Sequence, residues 1–203
     1  MSRRSPAFVA ALVAMTLALV TVSAACSSSD DEDAVPTTTT TTELTAQPTL
    51  AWTIGEVDPQ GTAPPAEDVI AAVKATLDAY LAQAIVGPLY TGQPAGDLSA
   101  VLSPAALERI AADPAARATL VDEGMPPATK EITATVANAG LRTVAGPDGA
   151  VAVVGAHLDL VLHAVGPAID VDIVRKGEVI LTQENGSWRI DSFQLRTQRD
   201  SRA

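Results

Sequence analysis

Val154-Gly155-Ala156-His157-Leu158-Asp159-Leu160-Val161-Leu162-His163, with Ile169-Asp170-Val171-Asp172-Ile173 after a Gly166-Pro167 break, decides the fold class of this chain. Successive side chains of a strand point to opposite faces, so apolar and polar residues that alternate mark a half-buried strand. In the first run Val154, Leu158, Leu160 and Leu162 share one face. Val153, His157, Asp159, Val161 and His163 share the other. The second run keeps its phase as far as Leu181. Ile169, Val171, Ile173, Val179 and Leu181 stand against Asp170, Asp172, Lys176 and Glu178.

The same period extends outward from these two strands. Gly146-Pro147-Asp148-Gly149 reads as the turn that leads into a strand over 150–164, with Pro147 presetting φ. Before it, Ile132, Ala134 and Val136 place one face of an earlier strand. Asn185-Gly186 is a two-residue hairpin signal and a better reading of Asn185-Gly186-Ser187 than a glycosylation acceptor. Trp188 and Ile190 fall on one parity and Phe193 and Leu195 on the other, which predicts a β-bulge near Asp191-Ser192.

Upstream of Met125-Pro126-Pro127 the period is helical. Val69, Val73, Leu77, Tyr80, Leu81 and Ala84 recur at three- and four-residue spacing, and Gly87-Pro88 reads as the end of that helix. Asp97 and Ser103 are candidate N-caps, and Pro104 and Pro114 suit first turns. Short helices are expected at 98–102, 104–112 and 114–122, with Gly124 as a stop. They would bring Leu98, Leu102, Leu107, Ile110 and Leu120 to a core.

Helices followed by four long strands with short turns predict an α+β fold, helices on one face of an antiparallel sheet of about four strands. The leading amphipathic helix, the short helices and the closing strand Glu184-Asn185-Gly186-Ser187-Trp188-Arg189-Ile190-Asp191-Ser192-Phe193 resemble the NTF2-like family over about residues 65–198. That resemblance implies a cone-shaped fold in which a curved sheet wraps the helices. The family includes ketosteroid-isomerase-type enzymes, binders of hydrophobic ligands and exported actinobacterial proteins. A cystatin-like helix-on-sheet domain is the alternative, disfavoured by the extra helices.

The chain carries few candidates for chemistry. Phosphate-loop, dinucleotide, zinc-protease and nucleophile-elbow motifs are missing from the sequence. His157, Asp159 and His163 on one strand face, with Asp170 and Asp172 on the next strand, are a donor set a divalent metal or acid–base catalysis could use. The greasy parity should meet the helices, which puts these residues on the solvated face, where His–Asp cross-strand pairs explain them. Inside the cone Tyr80 and Gln83 are the polar groups expected among Leu, Val and Ile. No catalytic residue, cofactor or metal is therefore expected. A filled core is preferred over an apolar pocket.

The N-terminus supplies the address. Arg3 and Arg4 precede an apolar block, Ala7 to Val22, that ends in small residues, the form of a secretory signal peptide. Ser23-Ala24-Ala25-Cys26 resembles the lipobox of bacterial lipoproteins, with Val22 one place from where that pattern has its Leu or Val. The resemblance implies cleavage after residue 25 and a diacylglycerol on Cys26, the only cysteine in the chain. Two or more acyl chains hold a protein on a membrane where one does not. Ser2-Arg3-Arg4 leaves Sec and twin-arginine export both open. The Ala, Val and Thr bias, with Arg ahead of Lys, resembles proteins of high-GC actinobacteria.

Residues 26–64, with Asp30-Asp31-Glu32-Asp33 and an unbroken Thr37–Thr42 run, read as a disordered tether. Within it Leu50, Trp52 and Ile54 alternate, as a short strand or as a patch that packs on the domain. The folded domain is expected at 65–200. Loss of residues 1–25 removes Arg3 and Arg4 and no acid, moving the net charge from −11 to −13. That balance excludes the basic footprint nucleic-acid binding needs. The expected partners are the membrane, through acyl chains on Cys26, and an envelope protein or a small apolar molecule. The sequence therefore predicts a lipid-anchored protein on the extracytoplasmic face of the cell membrane, with a non-catalytic interaction domain. A carrier of an apolar ligand and an isomerase- or hydrolase-type enzyme are the alternatives.

Overall fold

The computed structural model describes residues 43–60 and 64–202. The signal stretch, Cys26 and the Thr run lie outside the described residues. Five strands, β1 (Thr53–Gln60), β2 (Glu131–Ala145), β3 (Val151–Gly166), β4 (Ile169–Glu184) and β5 (Ser187–Ser201), form one sheet in the order β1-β2-β3-β4-β5. β2 to β5 are antiparallel neighbours, and β1 runs parallel to β2. The fold is α+β with a mixed sheet.

β1 corrects the four-strand count, and it supplies the short strand that the alternation of Leu50, Trp52 and Ile54 offered within the expected tether. Trp52 is why the chain is ordered earlier than expected. Its indole is 1 % exposed, its Nε1 donates to Leu77 O at 2.9 Å, and its backbone N–H donates to Asp78 Oδ1 at 2.8 Å. A large side chain buried with its polar atom satisfied anchors the segment that feeds β1. Still earlier, the Leu44 N–H donates to Thr129 O, and Gln47 Nε2 donates to Ala82 O at 3.1 Å.

The leading helix also runs further than its sequence signals suggest. α1 (Glu67–Tyr80) passes into a π-helical segment (Leu81–Val86) and then into α2 (Gly87–Thr91), so Gly87-Pro88 does not end it. In an ordinary helix the proline ring clashes with the carbonyl four residues back. Here the widened turn, in which Gly87 N–H reaches Ala82 O, makes room for it, and Ala84 O accepts from the Asp122 N–H at 2.9 Å. The stop is Gly92, left-handed at φ 67°. By length and composition Glu67–Thr91 could cross a membrane, but Val73, Leu77, Leu81, Ile85 and Leu89 are fully buried against the rest of the fold.

α3 (Pro104–Ala112) and α4 (Pro114–Leu120) follow the sequence closely. Ser103 and Asp113 cap them, accepting from Ala106 N and Ala115 N. The segment 98–102 makes only a single turn, because Leu102 is drawn into a bridge with Ile190 of β5. Leu98, Leu102, Ile110 and Leu120 reach the core, and Leu107 packs half-buried beside it.

The ladder shifts where one strand adds a residue. The bulge at Asp191 is present: Leu181 pairs with Ile190, but Ile180 pairs with Ser192. A second bulge at Thr135 corrects the reading of β2. Ala134 faces Leu162 while Val136 faces Val161, so Val136 leaves the face that holds Ile132 and Ala134. The hairpin Asn185-Gly186 has both residues at positive φ, 50° and 79°.

Candidate functional site

The outer face of the sheet holds every residue singled out for metal or acid–base chemistry, but distributes them among different partners. His163 Nδ1 lies 3.0 Å from Asp172 Oδ1, with Asp170 at 3.9 Å from Nε2. Arg202 Nε donates to Asp172 Oδ2 at 2.6 Å and, with the hydrogen bond from His163 adding to it, holds that carboxyl below the ordinary value of 3.8. Asp159 is bridged instead to Lys176 at 3.0 Å. His157 is exposed opposite Glu178, over an open trough of about 410 Å³ floored by Gly140 and edged by Glu56, Asp58 and Arg142. Among the described residues no three His, Cys, Asp or Glu side chains come together as metal ligands.

The polar centre of the fold lies on the other face, at a residue the sequence reading passed over. Arg175 occupies the inward row of Val171, Ile173, Val179 and Leu181, and it is fully buried. A charge there must be paired and hydrogen-bonded, since an unpaired buried ion is far more costly. Arg175 Nη2 donates to Asp122 Oδ2 at 2.8 Å, Nε to Thr197 Oγ1 at 3.0 Å, and Nη1 to the Tyr80 hydroxyl at 3.1 Å and Leu120 O at 3.2 Å. Asp122 Oδ1 in turn accepts from Arg199 Nη2 at 2.6 Å.

This network closes the end of α4. Tyr80 Oη donates to Leu120 O at 2.8 Å, Thr197 Oγ1 to Thr119 O at 2.9 Å, and Arg199 Nη2 to Ala118 O at 3.0 Å. Carbonyls left over at a helix C-terminus need donors, and two arginines also oppose the negative end of its dipole. That is why α4 stops at Leu120, two residues before the expected end. Burial works against the Arg175 charge, but Tyr80 and Asp122 beside it hold its pKa above the ordinary arginine value. Burial pushes the Tyr80 phenol up.

Tyr80 is thus inward as expected, whereas Gln83 is exposed, a correction to its place in the interior. The helix turns Gln83 away from the sheet, between buried Leu81 and Ala84. Cys26 falls outside the described residues. The signal that could have found the centre was present: Arg175 breaks an apolar row on its own parity, and such a residue calls for a buried acid. Comparisons with models of known families, with curated proteins and with solved structures return no match.

Proposed function

We propose that this chain is a lipid-anchored protein of the cell envelope, held by acyl chains on Cys26 at the extracytoplasmic face, whose NTF2-like domain binds other envelope components and catalyses nothing. The observation that carries the reading is the closed interior. Tyr80, Asp122 and Arg175 are all fully buried and bonded to one another and to the end of α4, so none is offered to a substrate. The half-exposed polar residues stand instead on the long outer face of the sheet, which suits protein contact. The cone-like reading is supported by α1, α3 and α4 packed against β5, and by bulges at Thr135 and Asp191 that bend long strands. β1 at the sheet edge is an addition to the four-strand pattern. An apolar carrier is disfavoured because Leu77, Leu81, Leu158, Leu160 and Leu162 are fully buried against their neighbours.

The test is labelling of cells with a radiolabelled fatty acid. Wild type should carry label and partition with membranes, and Cys26→Ala should lose the label and appear in the soluble fraction. Wild type that is membrane-bound but unlabelled overturns the anchor. Crosslinking in intact cells, read by mass spectrometry, then identifies what the domain touches.

A further inference from the structure

β1 and β5 are the two edges of the sheet, and they are treated differently. β1 is guarded: its register with β2 shifts between Ile54 and Val57, and Glu56, Asp58 and Pro59 lie along it. The first half of β5 is guarded as well. Ser103 N donates to Ile190 O and Ile190 N to Val101 O, each at 2.9 Å, and Arg109 Nη1 donates to Phe193 O at 3.0 Å. From Gln194 to Ser201 the cover stops. Among the described residues this stretch has no backbone partner except β4, and none of its residues is buried.

Two hydrogen bonds establish which backbone groups point outward. Arg202 N donates to Asp170 O across the β4 seam at 2.9 Å, so even-numbered residues here turn their N–H and C=O toward β4. Phe193 O, reached by Arg109 from the far side, has the other parity. Leu195, Thr197, Arg199 and Ser201 therefore present their backbone donors and acceptors to the open edge. Such a row is a template for one more strand.

The side chains specify which strand. On the outer face Arg196 lies opposite Lys176, and Asp200 lies opposite Asp172. Like charges directly across a ladder are unfavourable. Lys176 is relieved by Asp159, and Asp172 by Arg202 and His163. Among the described residues Arg196 and Asp200 have no ion-pair partner. A second copy of the same strand, antiparallel and centred on Gln198, puts Arg196 against Asp200 of the partner subunit and, by symmetry, Asp200 against Arg196 of the partner subunit. On the inner face Thr197 then meets Arg199 of the partner subunit, and both side chains are already held by α4 and Asp122 within each copy.

We propose that the chain self-associates through β5, the 194–201 edges of two copies pairing antiparallel about a two-fold axis at Gln198 and joining the two sheets. The contact is isologous and adds about eight backbone hydrogen bonds. It needs no lipid on Cys26, so it stands whether or not the chain is anchored.

The test is disulfide trapping in the full chain. Two Gln198 side chains would meet as a non-hydrogen-bonded pair with Cβ atoms roughly 4.5–5.5 Å apart, close to disulfide reach. In a Cys26→Ala background, which removes the chain's own thiol, Gln198→Cys under mild oxidation should run mainly as a dimer on a non-reducing gel, while the Cys26→Ala chain itself and Gln194→Cys within it stay monomeric. Asp200→Arg in the Gln198→Cys background should lower the trapped fraction about tenfold, and adding Arg196→Asp should restore it. All these β5 positions are exposed, so folding is not at stake. Trapping at Gln198 no greater than at Gln194, a dimer indifferent to Asp200→Arg, or a charge swap that fails to restore it overturns the proposal.

Discussion

Arg175 Nη2 and Asp122 Oδ2 are 2.8 Å apart with both side chains fully excluded from solvent. The pair ties the middle of β4 to the segment just after α4, and Tyr80, Thr197 and Arg199 complete its hydrogen bonds. Removing Asp122 leaves Arg175 a buried charge without a counter-ion, a loss of ~3–5 kcal/mol, whereas removing Arg175 leaves Asp122 still paired with Arg199. Asp122→Leu should lower unfolding free energy in a denaturant titration by about that much, and Arg175→Met by less, because Arg199 still faces Asp122. Arg175→Met with Asp122→Leu should lose much less than the two single losses added, because no charge is left buried. Additive losses would mean the pair is not the unit that matters.

Trp52 tests where the fold begins. Trp→Ala in a core costs roughly 3–5 kcal/mol, whereas the same change in a free tether costs nothing. Trp52→Ala should therefore lower the melting temperature by roughly 6–20 degrees for a domain of this size. Trp52→Phe, which keeps bulk but loses the Nε1–Leu77 hydrogen bond, should cost about 1 kcal/mol beyond the packing change.

Strands were legible in the sequence because their period is strict and their turns carry residues with a mechanism. Pro147 and Gly149, Asn185 and Gly186, and the parity slip across Asp191 each set one local geometry. Non-local partners were much harder to read. Trp52 and Ile54 alternate like a strand or a packed patch, but only Leu77 and β2 beside them say what they pack on, and Pro88 looks like a helix end until a π turn makes room for it. Arg175 was visible on the apolar parity of β4, but its partner Asp122 stands 53 residues earlier in what reads as a helix end. Thr135 left no parity signal, because Ala134, Val136 and Ala137 suit either face. The outer-face His and Asp residues were placed on the correct side, since alternation alone decides that.

Gly177 tests how close β4 and β5 approach. Its φ is 138°, and a Cβ there would sit 2.2 Å from Gln194 O, which is backbone and cannot move aside cheaply. Gly177→Ala should destabilise by about 2–3 kcal/mol through strain and overpacking. Gly149→Ala, also at positive φ but with nothing within 4 Å of the added carbon, should cost less, about 1 kcal/mol. Equal costs at the two sites would show that clash at the seam contributes nothing beyond backbone conformation.

Acid stability follows from Arg117 and Glu123. Arg117 Nε and Nη2 donate to the two carboxylate oxygens at 2.5 and 2.9 Å, and those hydrogen bonds hold Glu123 below its ordinary value of 4.5 against the opposing effect of burial. A carboxyl whose folded pKa lies below its unfolded one stabilises the fold in full above the unfolded value. That contribution drains away as pH falls through the lowered folded value. Asp172, lowered first by Arg202 and then by His163, acts in the same direction. Unfolding free energy from these two groups should thus be flat from pH 7 to about 5.5 and fall below about 4.5. Arg117→Met removes the cause at Glu123, so it should lower stability at neutral pH and make the acid limb shallower. Denaturant titrations of both proteins across pH 3–7 compare the slopes, and parallel acid limbs would rule out Glu123 as a contributor.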